Sequence, residues 1–270
     1  MTEARLRDML RMQLTKDYNC YLEDFEQGGI LITAKTRHPE RRRFEDEDSI
    51  ASLMVHDGKL IVTVEDELFD AVEDYFADTD DSVGEWFFDT YDFIGFNELL
   101  ASFGYELGPA RVGYIPRASG LVNKTEPICA VEWLDEDGIE AYRGDDRFNE
   151  ALLFSEVTPD VLAVAAKNEF GGILGMAGAS RNSASMWEMG VNVLDEARRR
   201  GIAANLVALL AEEAQDRGAL PYFNCCMSHI AAQRTALAAG LAPAFCEMRT
   251  RRLHYESPFE DEEEFEDEPV

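Results

Sequence analysis

Near the start of the chain the apolar positions recur at helical spacing. Leu6, Met9, Leu10 and Leu14 share one face across residues 2–14, with charged and polar residues between them, which predicts a short amphipathic helix. The period then shortens. GGILITAKTR reads as a strand that begins after two glycines, and SIASLMVHDGKLIVTVEDELFDAVEDYFAD as two strands around an Asp57-Gly58 turn followed by an acidic helix. Phe96, Leu99, Leu100 and Phe103 predict a further helix ending near Gly104 or Gly108, and ARVGYIPR the next strand. Residues 1–117 thus form a smaller mixed α/β segment, in which no motif implies chemistry.

RASGLVNKT, running from Arg117 to Thr125, mixes Ser, Gly and Asn and predicts a boundary. Beyond it, PICAVEWL alternates as a strand and EAYRGDDRFNEALLF predicts a helix. DVLAVAAKNEFGGILGMAGASRN predicts two strands joined at a turn over Asn168–Gly172, and MWEMGVNVL a further strand. From Arg200 onward Ile202, Leu206, Leu209 and Leu210 fall on one face of a helix, with Ala203 and Val207 beside them. The fold class expected is α/β (α+β), with a mixed twisted sheet flanked by helices in residues 118–253 and an acidic, disordered tail from 254 to 270.

Charge narrows the partners. The formal net charge is -29, and a surface this acidic repels phosphate backbones, so neither nucleic acid nor an anionic membrane is an expected partner. Part of the charge sits in ESPFEDEEEFEDEPV, which has no basic residue and reads as a solvated tail or as a strip that docks a basic partner. One patch runs against the trend. RHPERRRF, from Arg37 to Phe44, either holds a phosphate or substrate carboxylate or, the plainer reading, is a solvated loop balancing nearby acids. The five cysteines, Cys20, Cys129, Cys225, Cys226 and Cys246, are odd in number and show no CxxC spacing. That favours reduced thiols over a disulfide framework. The charged start MTEARLRDML is unlike a signal peptide, and no apolar run approaches the ~20 residues of a membrane span. A soluble, cytoplasmic protein is expected, with no metal site.

The stretch with chemical content is DEARRRGIAANLVALLAEEA, Asp195–Ala214. A strand leading into a helix start presents unpaired backbone N–H groups and the positive end of the helix dipole, an arrangement that binds phosphates. Gly201 and Ala203 keep bulk away from those amides, and arginines at the rim add charge-assisted hydrogen bonds. Neither G-x-x-x-x-G-K-[ST] nor a strand followed by G-x-G-x-x-G is present.

RRRGIA, Arg198–Ala203, resembles the Arg/Gln-x-x-Gly-x-Gly/Ala signature of the GNAT superfamily of acyl-CoA N-acyltransferases, and the resemblance extends in register over roughly residues 126–252. It implies that Arg198, Arg199, Arg200, Gly201, Ile202 and Ala203 wrap the pyrophosphate of coenzyme A. It also implies that backbone groups at Val191 and Val193, on a splayed central strand, hold the pantetheine arm. His229 stands where the family usually has an Asn at the start of its fourth helix and belongs to the same cofactor-binding set. Two further positions depart: Leu241 replaces the Phe of a Gly-Phe turn, and Ala236 replaces the tyrosine that many members use to reprotonate the thiolate. His229 could take over as acid, or could cap the helix or be structural.

Glu188, the only acid within MWEMGV, is the candidate general base, and strand alternation sets Glu188, Gly190 and Asn192 opposite Trp187, Met189, Val191 and Val193. The resemblance implies transfer of an acetyl or larger acyl group from acetyl-CoA, the co-substrate, to a primary amine by direct attack. The acidic surface favours a cationic small-molecule or peptide acceptor. A catalytically weak domain that binds and senses acyl-CoA is the alternative. The first segment is expected to cover the acceptor side or to mediate homodimerisation.

Overall fold

The computed structural model describes residues 1–45, 49–80, 82–117, 121 and 124–253, apart from the side chains of 83, 85 and 89. The acidic end expected from residue 254, and much of the boundary segment, lie outside the described residues. Helix α1 (Glu3–Asp17) is capped by Thr2, whose hydroxyl accepts from the Arg5 N–H, and it buries the four apolar positions of its stripe. Strand β1 (Gly29–Ala34) is followed by the hairpin β2 (Ala51–His56) and β3 (Lys59–Val64). Asp57 and Gly58 both take positive φ, 48° and 79°, as a two-residue I′ turn requires. Helices α2 (Asp66–Phe76), α3 (Val83–Trp86) and α4 (Tyr91–Ser102) then cover one face of these strands, with Phe76, Phe87, Phe96 and Leu100 in the core. Helix α4 stops before Gly104, and its expected apolar position Phe103 is exposed rather than buried. Short strand β4 (Tyr105–Leu107) and strand β5 (Arg111–Pro116) follow.

The second half runs β6 (Ala130–Leu134), α5 (Glu136–Glu140), β7 (Asp160–Lys167), β8 (Ile173–Arg181), β9 (Met186–Val193), α6 (Ile202–Asp216), β10 (Leu220–Cys226), α7 (Ile230–Ala239) and β11 (Leu241–Arg252). All strands join one mixed 11-stranded sheet in the order β1-β3-β2-β11-β5-β10-β9-β8-β7-β6, with β4 paired to β11. Strand β5 lies between β10 and β11, antiparallel to both, so the sheet is continuous across residue 117. Helices α6 and α7 cover one face of its second half, and α1 packs on the opposite face against Met186, Leu220, Tyr222 and Phe245. Helix α6 is buried almost all round rather than along one stripe, Asn205 and Gln215 included.

One expected element is absent. EAYRGDDRFNEALLF is not a helix: α5 ends at Glu140, Gly144 takes φ 83°, and only a single 3-10 turn forms at Asp146–Phe148. The chain there is held by bonds to the sheet instead. The Asn192 side-chain oxygen accepts from the Glu150 and Ala151 N–H groups, and the Asp160 carboxylate from the Phe154 N–H.

This loop lies directly on the sheet because Gly178 and Gly190, opposite each other on β8 and β9, have no side chains in the way. A Cβ at Gly190 would run into the Glu150 carbonyl, and one at Gly178 into that of Ala151. Gly190→Ala is therefore expected to lift the loop and destabilise the fold by about 1–3 kcal/mol, the usual cost of overpacking. A urea melt measures it.

Candidate functional site: a splayed sheet facing a helix start

Strands β9 and β10 run parallel but pair only from Met186↔Leu220 to Met189↔Phe223. Past that point β9 continues against β8 alone, and β10 against β5 alone, so the sheet opens as a wedge. The backbone of β9 is available on the open side. The Leu194 N–H donates to Leu174 on β8, and antiparallel pairing alternates. Val191 and Val193 therefore turn their N–H and C=O groups away from β8, into the wedge. The Val193 carbonyl also accepts from Arg198 Nε at 3.3 Å.

The mouth of α6 lies just beyond. Gly201 is its N-cap at φ 81°, no side chain caps the helix, and the first intrahelical bond is Asn205 N–H to Gly201 C=O. The N–H groups of Gly201, Ile202, Ala203 and Ala204 thus have no intrahelical acceptor. The glycine is needed for its dihedral, since a Cβ there would meet only Ile128 at 3.8 Å. Arg199 is also left-handed, at φ 61°, a conformation costing a non-glycine residue about 1–2 kcal/mol.

Arg198, Arg199 and Arg200 are all exposed. Arg198 pairs with Asp195 at 2.9 Å, whereas Arg199 and Arg200 make no ion pair among the described residues. His229 occupies the N-cap position of α7, on the far side of the wedge. Its imidazole is exposed and makes no cap bond, so it is neither a cap nor a buried structural group. Ala236 is fully buried in the α6–α7 core, as is Leu241 within 2 %. Cys225, near the end of β10, is also buried there, and burial pushes its thiol up from its ordinary value.

Glu188 projects from the face opposite α6. Met189 packs in the α6 core, and Glu188, its neighbour, meets Tyr222 and Asn182 on the α1 side. Its Oε2 accepts from the Tyr222 hydroxyl at 2.8 Å and the Asn182 amide at 3.2 Å. Asn182 in turn is tied to the Arg43 backbone in both directions.

Beneath this lies a polar cluster that sequence reasoning missed. Arg42, expected in a solvated loop, is buried: its guanidinium bonds Asp17 at 2.6 Å and Glu247 at 2.8 Å and stacks over the Tyr222 ring. Glu247 also accepts from the Tyr18 hydroxyl at 2.9 Å. Burial alone would raise the Glu247 carboxyl, but the Arg42 and Arg249 charges hold it below its ordinary value. The only sequence signal was the arginine run itself.

The fold and site thus define a protein with an open-wedge α/β sheet whose parallel strands diverge beside an uncapped, arginine-rimmed helix start. Residues 125–240 match the model of the acetyltransferase (GNAT) family, and this part of the chain is a GNAT acetyltransferase-family domain. No curated protein matches the chain. Among solved structures, a GCN5-related N-acetyltransferase-like protein from Streptococcus suis is 12% identical, with 93% of this chain and 99% of that one covered and a TM-score of 0.46. An acetyltransferase from the GNAT family of Novosphingobium aromaticivorans is 19% identical over 56% of this chain and 68% of its own, at 0.39. A GNAT-family acetyltransferase from Colwellia psychrerythraea is 14% identical over 59% and 62%, at 0.42.

No helix among the described residues is long and apolar enough to cross a membrane. All five cysteines are free.

Proposed function

We propose that the chain transfers an acetyl group from acetyl-CoA to a primary amine by direct attack. The observation that carries this reading is the wedge between β9 and β10 opening beside the uncapped start of α6, with Arg199 and Arg200 unpaired among the described residues. In it, the N–H groups at Gly201–Ala204 and the arginine rim hold the diphosphate of coenzyme A. The backbone of Val191 and Val193 aligns the pantetheine arm, and the Val193 N–H faces the developing oxyanion. The amine nitrogen bonds to the thioester carbonyl carbon, the C–S bond breaks, and the nitrogen's proton passes to Glu188 directly or through water. Tyr222 and Asn182 occupy one oxygen of that carboxylate and leave Oε1 for the task. The thiolate leaves without a phenol at position 236, so water or His229 reprotonates it. Fixing the thioester between two strands would supply much of the acceleration through positioning.

The test is release of free thiol from acetyl-CoA across a panel of primary amines. Amine-dependent release is expected, and Glu188→Gln should lower kcat by about 10²-fold or more. Tight cofactor binding with no release for any amine would instead favour an acyl-CoA-sensing module, the reading that the buried Ala236 supports.

A further inference from the structure

On the α1 face of the first three strands a cavity of about 60 Å³ opens beside the cluster around Arg42. Its floor is a polar row running straight across the sheet. Arg249 on β11 is opposite Ser52 on β2, and Ser52 is opposite Thr63 on β3. Thr63 is already satisfied by Thr33 and the Tyr18 carbonyl, whereas the Ser52 hydroxyl makes no hydrogen bond among the described residues. Lys35, Arg37, Arg42 and Phe44 also line the cavity, together with Asp17, whose carboxylate is bonded to Arg42. In a chain of net charge -29, cations gathered around one small cavity are a departure that solubility does not explain.

Their existing partners do not use them up. Lys35 pairs with Glu65 at 3.2 Å and donates to the Ser49 carbonyl, while Arg249 stacks over the Phe44 ring and has a 3.5 Å contact to Glu247, a carboxylate already claimed by Arg42. Arg37 makes no ion pair among the described residues. Arg42 engages Nε, Nη1 and Nη2 with Asp17 and Glu247. A guanidinium carries five N–H groups, so each terminal nitrogen of this fully buried side chain keeps one. Arg41 also lines the cavity and has a partner of its own.

From this geometry we propose that the cavity binds a small oxyanion, a phosphate or carboxylate group, held by Arg249, Arg37 and Arg42 with the Ser52 hydroxyl beneath it. Such a group would answer planar guanidinium donors in the way they pair best. The cavity lies on the face that carries Glu188. Arg42 stacks over Tyr222, the donor to Glu188, and the segment Arg41–Phe44 that roofs the cavity is bonded to Asn182, the other donor. The anion therefore comes either free from solvent or as the charged end of the acceptor.

Titration calorimetry on the full chain, at fixed ionic strength, with inorganic phosphate and separately with succinate, tests the proposal without requiring turnover. Saturable binding of at least one is expected, weakened about tenfold or more by Arg249→Gln. Arg37→Gln, at an exposed residue with no hydrogen bond or ion pair among the described residues, should weaken it in the same direction, which guards against a folding defect in the first variant. Absence of saturable heat with either anion, or equal affinity in wild type and both variants, would overturn it. If thiol release is observed, phosphate that competes with the amine identifies the acceptor's own anionic end as the occupant. Phosphate that binds without competing identifies a separate anion. Failure of thiol release alone bears on the proposed function and leaves the binding measurement intact.

Discussion

Arg42→Ala is expected to be among the most destabilising single substitutions in the chain, at about 3–5 kcal/mol. The Arg42, Asp17 and Glu247 side chains are 0%, 5% and 2% exposed. Truncating the arginine leaves two carboxylates in the interior without their cation, and an unpaired buried charge costs far more than a pair contributes. The Tyr222, Phe44 and Phe245 rings also lose the guanidinium packed on them. For a chain of this size the loss corresponds to a fall in Tm of roughly 10 °C, read by a thermal melt at neutral pH. Arg42→Met, which keeps volume but not charge, should be little better, because the carboxylates remain unpaired. A Tm within about 2 °C of wild type for both variants would show that the cluster is not a structural ion pair.

The second large effect concerns the mouth of α6. Arg199→Glu with Arg200→Glu replaces two exposed cations, neither paired within the described fold, by anions at the positive end of a 15-residue helix. Each charge-assisted contact to a phosphate is worth about 1.5–3 kcal/mol, so losing both and adding repulsion should weaken coenzyme A binding by about 10²-fold or more. Because both side chains are exposed and make no ion pair among the described residues, Tm should stay within about 2 °C of wild type. Unchanged affinity would place the diphosphate somewhere else.

How much of this could be read beforehand depended on how local each feature is. Helix α1 and the β2–β3 hairpin follow from apolar periodicity and one Asp-Gly turn, which act over a few residues. The uncapped start of α6 at Gly201 is equally legible, since a strand-to-helix step needs no distant partner. The face on which Glu188 stands was left open, because alternation divides β9 into two sets without saying which meets α6; Tyr222, 34 residues away, decides it. Arg42 was misread for the same reason. Its partners Asp17 and Glu247 are 25 and 205 residues distant, and a charged run carries no sign that its middle member is buried. The 140–154 segment has enough helix formers to read as a helix, yet bonds to Asn192 and Asp160 on the sheet hold it as a loop. Strand β5 was read as a strand, but its seat between β10 and β11 is a property of the whole sheet.

In the function proposed, the helix start beside the open wedge grips the diphosphate of coenzyme A. Titration calorimetry of the unmodified chain with coenzyme A, repeated with the dephosphorylated pantetheine arm alone, addresses it most directly. One site is expected, with a Kd in the micromolar range or tighter for the intact molecule and affinity lower by at least about 10²-fold for the arm without its diphosphate. Equal binding of the two, or no binding of either, would contradict it.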